Sequence, residues 1–302
     1  MEKNLLRRIW SFRSMYLFLM PAVVWYIIFM YKPIYGLQIA FKNYTFKDGI
    51  SGSEWVGLLH FQKMFMDPFF MQAFMNTIVI SLLKLVFVAT SGLVLALLLN
   101  EVRNRRFRGL VQDISLLTHF FSWVVISSIM IEILSPSSGL INIVRMNLGL
   151  DSIYYLAEKN WFLFWVIASD IWESAGWNAI IFIAAIAGIS PELYESASID
   201  GAGRFAKLIH ITVPGISGTI FIVMVLKIGG MMNAGFDQIY NLYNSAVMDV
   251  ADILDTYTFR LGMQQLEFSY ASAVGLLKNL IGLVLVLMTN YIAKKNGEEG
   301  LW

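Results

Sequence analysis

Two carboxylates and an indole recur at helical spacing in one apolar stretch of the chain. Asp170, Glu173 and Trp177 are separated by three and four residues, and Asn178 follows directly. On a helix this spacing places the three side chains on one face. There the carboxylates can accept hydrogen bonds from sugar hydroxyls, while the indole covers the apolar face of a sugar ring. The alternative is structural: Asp170 or Glu173 pairs with Lys227 and holds two helices together.

Three lysines also lie deep inside apolar stretches. Lys84, Lys227 and Lys278 are far from the ends of their stretches, so each requires an acidic partner, a water-filled cavity or an anionic ligand. The acids available there are the two named above and Glu132, which lies near one end. A lysine left unpaired would suit a carboxylated sugar such as a uronic-acid oligomer; if every lysine is paired, a neutral ligand is the alternative. The candidate substrate path comprises Asp170, Glu173, Trp177, Asn178, Lys227 and Lys278.

Motifs for catalysis are absent from the sequence. It contains no G-x-x-x-x-G-K-[ST] phosphate loop and no G-x-S-x-G or H-E-x-x-H spacing. There is no cysteine, and His60, His119 and His210 are too far apart for metal-ligand spacing. We therefore expect no enzymatic activity, no metal and no cofactor in this chain, and we expect each histidine to be an ordinary polar residue.

The elements that must position the polar groups are membrane helices. Of 302 residues, 58% are hydrophobic and only 14% are charged, against about 25% charged in a typical soluble domain. The net charge of +1 leaves no basic face for nucleic acid. Six segments approach the roughly 20 apolar residues that cross a bilayer: 15–31, 72–99, 110–134, 161–189, 215–236 and 271–293. We predict an all-α integral membrane protein with six transmembrane helices, forming a single domain over 1–302.

Lysine and arginine set the orientation of these helices. They are concentrated in the segments before the first helix and after every second one, above all in the run Arg103, Arg105, Arg106 and Arg108. Because cytoplasmic loops carry the excess of basic residues, both termini are predicted to be cytoplasmic. The two long outer segments, 32–71 and 237–270, have room for short helices at the membrane surface.

The segment 190–214 is the most informative cytoplasmic loop. Ser190 can cap a helix whose first position is Pro191, and Gly201 and Gly203 allow a sharp turn after it. Small residues at 196–198 leave one side of this helix thin. Such a helix fits a groove on another protein, although a plain amphipathic connector has the same features.

The same loop carries a family resemblance. Glu195-Ser196-Ala197, then Gly201, Ile211 and Pro214, resemble the E-A-A-x(3)-G-x(9)-I-x-L-P signature of the permeases of binding-protein-dependent ATP-binding-cassette (ABC) importers. Ser196 in place of Ala and Val213 in place of Leu are small departures. In that family the loop is the coupling helix, which inserts into a cleft on the ATPase subunit. The resemblance therefore implies ATPase coupling through Glu195, Ser196, Ala197, Asp200, Gly201 and Ala202.

Further segments are similar to the LplB-like polysaccharide and oligosaccharide permeases of this family. They are Trp55-Val56-Gly57-Leu58, 96–107, Ser122-Trp123-Val124-Val125, 134–142 and Gly300-Leu301-Trp302. The resemblance implies the type I importer permease fold and a bacterial plasma-membrane location, in a Gram-positive host. It also implies four kinds of partner: a second homologous permease, two cytoplasmic ATP-binding subunits, an extracellular lipid-anchored binding protein, and an oligosaccharide that the binding protein delivers.

Two other functions remain as alternatives at this point. A secondary, ion-coupled transporter would use the intramembrane charges as an ion relay, but the sequence shows neither an inverted repeat nor matched helix breaks. An ABC importer for a solute other than a sugar is the second alternative.

Overall fold

The computed structural model describes residues 10–295. Lys3, Arg7 and Arg8, which contributed to the charge bias, and the Gly300-Leu301-Trp302 motif lie outside the described residues. The chain divides into two compact units: residues 10–66 with Arg260–Leu276, and Asp67–Phe259 with residues 277–295.

The first unit begins with an apolar helix and continues into a small surface motif. Its elements are α1 (Arg13–Tyr26), a π-helical turn (Ile27–Tyr31), a 3₁₀ segment (Lys32–Phe41), β1 (Lys42–Asn43), α2 (Gly49–Gly52), β2 (Glu54–Trp55) and α3 (Leu59–Met66). The strands pair antiparallel, so a two-stranded ribbon is added to the all-helical architecture expected from the sequence. A π-helical turn at Arg260–Gln264 and the start of a long helix at Phe268 complete this unit.

Local contacts hold the ribbon in place. The Lys42 ammonium donates to the carbonyl of Ile50 at 2.6 Å, and the ring of His60 lies 3.0 Å from the carbonyl of Lys42. The rings of Phe41 and Trp55 stack with centroids 5.7 Å apart. None of the side chains of α1 is buried within the chain, so lipid or another chain must cover this apolar helix.

The second unit contains the remaining helices. They are α4 (Pro68–Leu83), α5 (Ala89–Glu101), α6 (Arg105–Leu117), α7 (Trp123–Ile133), α8 (Leu140–Asn147), α9 (Lys159–Ala187), α10 (Pro191–Ile199), α11 (Arg204–Lys207), α12 (Val213–Gly215), α13 (Ser217–Gly229), α14 (Phe236–Leu242), α15 (Met248–Ala251), α16 (Leu254–Phe259) and the rest of α17 (Phe268–Lys295). A π-helical turn at Lys84–Val88 joins α4 to α5 as one continuous rod.

Three stretches are long and apolar enough to cross a membrane without a break: 13–41, 68–101 and 268–295. Three further spans are possible if each bent helix pair counts as one. The bends are 103° between α6 and α7, 69° between α9 and α10, and 60° where α13 begins. The third predicted span, 110–134, therefore contains a sharp break. The fifth, 215–236, ends earlier, because α13 stops at Gly229 and the chain then turns towards α14.

Capping residues explain where several helices begin. Asp67 accepts a hydrogen bond from the backbone N–H of Phe69 at the start of α4. Asn104 accepts from two backbone N–H groups at the start of α6, and Ser122 accepts from one at the start of α7. Because a side-chain cap satisfies N–H groups that a new helix leaves unpaired, Ser122 stabilises the break inside the predicted third span.

Two apolar clusters form the core of the second unit. One joins Ile80, Phe162, Val166 and Ile239, so it ties α4, α9 and α14 together. The other joins Ala96, Phe182 and Ile216 near the opposite end of α9. The polar residues of interest lie along α9, between these two clusters.

Candidate functional site

Glu173 and Trp177 project from α9 towards the turn between α6 and α7. Glu173 is 8% exposed, and its Oε1 atom lies 2.8 Å from Nδ1 of His119, close enough for an ion pair but not aligned as a hydrogen bond. The His119 ring stacks on the Trp177 indole with centroids 4.6 Å apart and planes 17° apart. Trp177 remains 47% exposed. These residues combine an accessible aromatic surface with a carboxylate.

The position of His119 depends on its neighbour Thr118. The hydroxyl of Thr118 donates to the carbonyl of Trp172 at 2.9 Å, which ties the turn Thr118–Phe120 to α9. The sequence alone predicts that His119 is an ordinary polar residue. It lies more than fifty positions before Glu173 in the chain, so spacing gave no signal for this contact; only the approach of α6 to α9 produces it.

Asp170 has a different partner. Its Oδ2 atom lies 2.7 Å from the Lys84 ammonium, and each of these side chains is 15% exposed. Lys84 also donates to Gln238, whose amide group in turn donates to the carbonyl of Val166 and to the hydroxyl of Ser169. Asp170 therefore belongs to a network that links the start of the Lys84–Val88 turn, α9 and α14. This network is the kind of internal pairing that the structural alternative anticipated, but with Lys84 rather than Lys227.

The other two intramembrane lysines differ from each other. Lys278 forms an ion pair with Asp255 of α16, and its side chain is 12% exposed. Lys227 is exposed on α13, and no ion pair of its side chain is found among residues 10–295. One lysine is thus left without a paired acid, and the fold identifies it as Lys227.

Asn178 lies in a helix contact. It is 8% exposed, and a Cβ atom added to Gly92 of α5 would lie 2.5 Å from the Cβ of Asn178. This position favours packing between α5 and α9 over contact with a substrate. The geometry therefore separates Asn178 from Trp177, although the two are adjacent in sequence.

The loop 190–214 forms a short exposed helix that leaves the axis of α9. None of the residues of α10 is buried, and the turn that follows the helix contains Gly201, which has a φ of +77°. The backbone N–H of Ala202 donates to the carbonyl of Ala197 at 2.8 Å and closes the turn. Gly203 has a φ of −70°, so the left-handed conformation is needed only at Gly201. Ser190 stands before the helix, but its side chain makes no capping hydrogen bond, contrary to expectation.

The exposed surface of this loop is more apolar than its small residues suggested. Ile199 is 88% exposed and Phe205 is 75% exposed, next to the exposed polar residues Glu195, Ser196 and Asp200. From the opposite side of α10, the Tyr194 hydroxyl lies 3.0 Å from that of Thr212 and anchors the helix to the chain that returns to the membrane. Large exposed apolar side chains on a polar helix are typical of a protein contact surface.

Comparisons with known proteins show the family to which this chain belongs. Residues 92–297 match the model of the family described as "Binding-protein-dependent transport system inner membrane component". The chain is 41% identical over 301 residues to the polygalacturonan/rhamnogalacturonan transport system permease protein YteP of Bacillus subtilis, covering 100% of this chain and 94% of YteP. It is also 41% identical to the LplB protein of the same organism, covering 95% of this chain and 91% of LplB.

A solved structure extends the likeness to the fold. The chain is similar to a chain of a bacterial alginate ABC transporter, which was crystallised with a periplasmic protein that holds an alginate pentasaccharide. The two chains superpose with a TM-score of 0.91 and are 37% identical in sequence, and the match covers 98% of this chain and 99% of that chain. The type I importer permease fold expected from the sequence is thereby confirmed. The chain belongs to the inner membrane components of binding-protein-dependent transport systems and is a multi-pass permease subunit of an ABC importer, in which partner subunits hydrolyse ATP.

Proposed function

We propose that this permease carries an acidic oligosaccharide across the membrane. The observation that carries the proposal is Lys227, an exposed lysine on an apolar helix with no ion pair among residues 10–295. A charged side chain within a membrane-spanning helix is costly unless it meets water, an opposite charge or a ligand. A carboxylated sugar supplies that opposite charge during passage.

The relatives support an acidic cargo. YteP is named for the transport of polygalacturonan and rhamnogalacturonan. A second solved structure with a TM-score of 0.91 and 37% identity is an ABC transporter for import of the acidic polysaccharide alginate. A neutral oligosaccharide is the second candidate, because other relatives are named for lactose and for arabinooligosaccharides. These are 26% identical to this chain, against 41% for YteP.

The substrate contacts that we assign are Trp177, His119, Glu173 and Lys227. The exposed indole, supported from behind by the stacked imidazole, offers a flat apolar surface to a sugar ring. Glu173 accepts hydrogen bonds from sugar hydroxyls, and Lys227 attracts carboxylates. We assign structural roles to Asp170, Lys278 and Asn178, because the first two are paired and the third is packed between helices.

We further propose that α10 is the helix that docks onto an ATPase subunit. Glu195, Ser196, Ala197, Asp200, Gly201 and Ala202 form the docking surface, joined by the exposed Ile199 and Phe205. The 69° bend after α9 directs α10 away from the axis of that span. Because α9 also carries Glu173 and Trp177, movement of α10 can be passed along α9 to the substrate contacts.

The other subunits of the proposed transporter follow from the proposal that α10 docks onto an ATPase subunit. The proposed transporter contains a second homologous permease, two ATP-binding subunits and a lipid-anchored extracellular binding protein, in a Gram-positive plasma membrane with both termini cytoplasmic. The ion-coupled alternative is not favoured, since the chain belongs to an ATP-driven family. The 1–302 chain acts as one permease domain in this assembly.

Uptake by the whole transporter in proteoliposomes tests the substrate class. We expect uptake of uronic-acid oligomers, and little uptake of the same oligomers after their carboxyl groups are reduced to alcohols. Trp177→Ala should lower kcat/KM about tenfold, in line with a lost aromatic contact. Trp172→Ala is the matched control, since Trp172 is 50% exposed on the same helix but about 140° further round it. Equal uptake of charged and reduced oligomers would rule out the acidic-substrate proposal.

A further inference from the structure

A cavity of about 400 Å³ lies beside the docking helix, closer to the C-terminal end of α9 than the substrate contacts are. Its polar side chains are Asn100 of α5, Arg108 and Gln112 of α6, and Tyr194 of α10. Five apolar residues, including Ala96 and Ala187, line the remainder. The volume falls within the range of small-molecule sites, about 300–1,000 Å³.

Backbone contacts fix the closed end of this cavity. Gly176 of α9 lies against the backbone of Ser115 in α6, leaving no room for a Cβ atom. Gly92 of α5 approaches α9 equally closely at Asn178. The cavity opens one to three helical turns further along α5, α6 and α9, where Ala96, Arg108 and Ala187 lie. Small residues therefore bring the helices together at one end, and the space between them is set by the backbone.

The charge around the opening favours an anion. Arg103, Arg105, Arg106 and Arg108 lie within six residues and are all exposed. No ion pair of Arg108 is found among residues 10–295. A guanidinium group binds phosphate oxygens in pairs, and the amides of Asn100 and Gln112 add donors beside it.

We propose that the cavity binds the phosphate headgroup of an anionic phospholipid, with the start of one acyl chain along its apolar lining. A free small anion would leave that lining in contact with water, whereas a lipid covers it. Basic pockets between helices on the cytoplasmic side of a membrane are suited to such headgroups. The choice of the cytoplasmic leaflet rests on the proposed orientation, and the effect on ATPase docking described below rests on the proposed docking role of α10.

Binding at this site would act on ATPase docking. Tyr194 lines the cavity and also contacts Thr212. It therefore connects the site both to α10 and to the segment of the loop that returns from α10. A lipid held against Tyr194 restrains α10 in its position. We therefore expect the site to stabilise the conformation in which the loop docks.

Lipid counting by native mass spectrometry tests the proposal on the whole transporter in neutral detergent, with short-chain phosphatidylglycerol as the probe and phosphatidylcholine as the reference. We expect phosphatidylglycerol to bind preferentially, and Arg108→Gln to weaken its binding about tenfold through loss of a charge-assisted hydrogen bond. Ala187→Phe, which fills the apolar part, should do the same. Arg105→Gln, which removes a charge of the same cluster outside the cavity, should have little effect.

Three results would overturn the inference. Equal weakening by Arg105→Gln would indicate diffuse surface attraction, no preference for phosphatidylglycerol would exclude a headgroup site, and full competition by inorganic phosphate would indicate a site for a free ion. ATPase activity stimulated by the loaded binding protein is recorded on the same samples. If the wild-type complex shows stimulated ATPase activity but no preference for phosphatidylglycerol, only this inference is overturned. If the wild-type complex shows no stimulated ATPase activity, the proposed function is overturned.

Discussion

The ammonium group of Lys84 lies 2.7 Å from the carboxylate of Asp170, in an ion pair with each side chain 15% exposed. This contact joins a π-helical turn of one membrane-spanning rod to the middle of α9. Gln238 shares the same ammonium group and adds α14 to the junction. Three segments that are distant in sequence are thus held together by one lysine.

Removal of either charge from this pair should destabilise the permease. Lys84→Met leaves the Asp170 carboxylate without its cation, and the loss of one partner from a largely buried pair costs on the order of 3 kcal/mol. The double variant Lys84→Met with Asp170→Asn removes both charges and should be more stable than Lys84→Met alone. Thermal unfolding of the purified complex measures both effects. A double variant no better than the single one would contradict the ion-pair assignment.

The other two intramembrane lysines, Lys227 and Lys278, should respond differently when their charge is removed. Lys227→Met should lower uptake of an acidic oligosaccharide with little change in complex stability, because Lys227 has no ion pair among residues 10–295. Lys278→Met should lower complex stability, because it leaves Asp255 unpaired. Uptake and thermal unfolding of the two variants are compared side by side. If Lys227→Met leaves uptake intact, Lys227 has no part in substrate passage.

Gly201→Val should uncouple ATP hydrolysis from substrate delivery. Gly201 has a φ of +77°, and a β-branched residue in this conformation carries about 1–3 kcal/mol of strain. The turn after α10 should then shift, and stimulated ATPase activity should be lost while the complex still inserts in the membrane. Gly203→Ala is the matched control, since its φ of −70° suits any residue. Normal stimulation in Gly201→Val would mean that the loop is only a connector.

The absence of cysteine makes the topology directly testable. Single cysteines at Ser51, Ser198 and Ser245 would each be the only thiol in the chain, and all three positions are exposed. Ser51→Cys and Ser245→Cys should react with an impermeant maleimide added outside the cell. Ser198→Cys in α10 should react only after the membrane is opened. Labelling of Ser198→Cys from outside would refute the proposed orientation.

Much of the candidate site could be predicted from the sequence, because the shared helix face depends only on the spacing of nearby residues. The intervals between Asp170, Glu173 and Trp177 place them on one face of α9, as expected. Spacing did not indicate how that face is divided among partners. Asp170 meets Lys84 and Glu173 meets His119, and both partners come from other helices or turns.

The helix breaks show a similar division. Hydropathy marked the apolar segments, since each reflects about twenty neighbouring residues. Hydropathy does not indicate the 103° bend before α7, although Ser122 is a residue type that commonly begins a helix. A capping residue within an apolar run starts a new helix only where the surrounding helices accommodate the bend. Hydropathy alone therefore does not predict the bend.

By itself the sequence determined the membrane class and the family, and it predicted the docking loop, because composition, hydropathy and the Glu195-to-Pro214 motif are properties of the chain read in order. The tertiary structure alone decided which lysine is unpaired, which ring supports Trp177, and where a cavity opens beside Tyr194. The physical reason is that ion pairs, ring stacking and cavities depend on distances of a few ångströms between residues far apart in sequence. Only helix packing sets those distances.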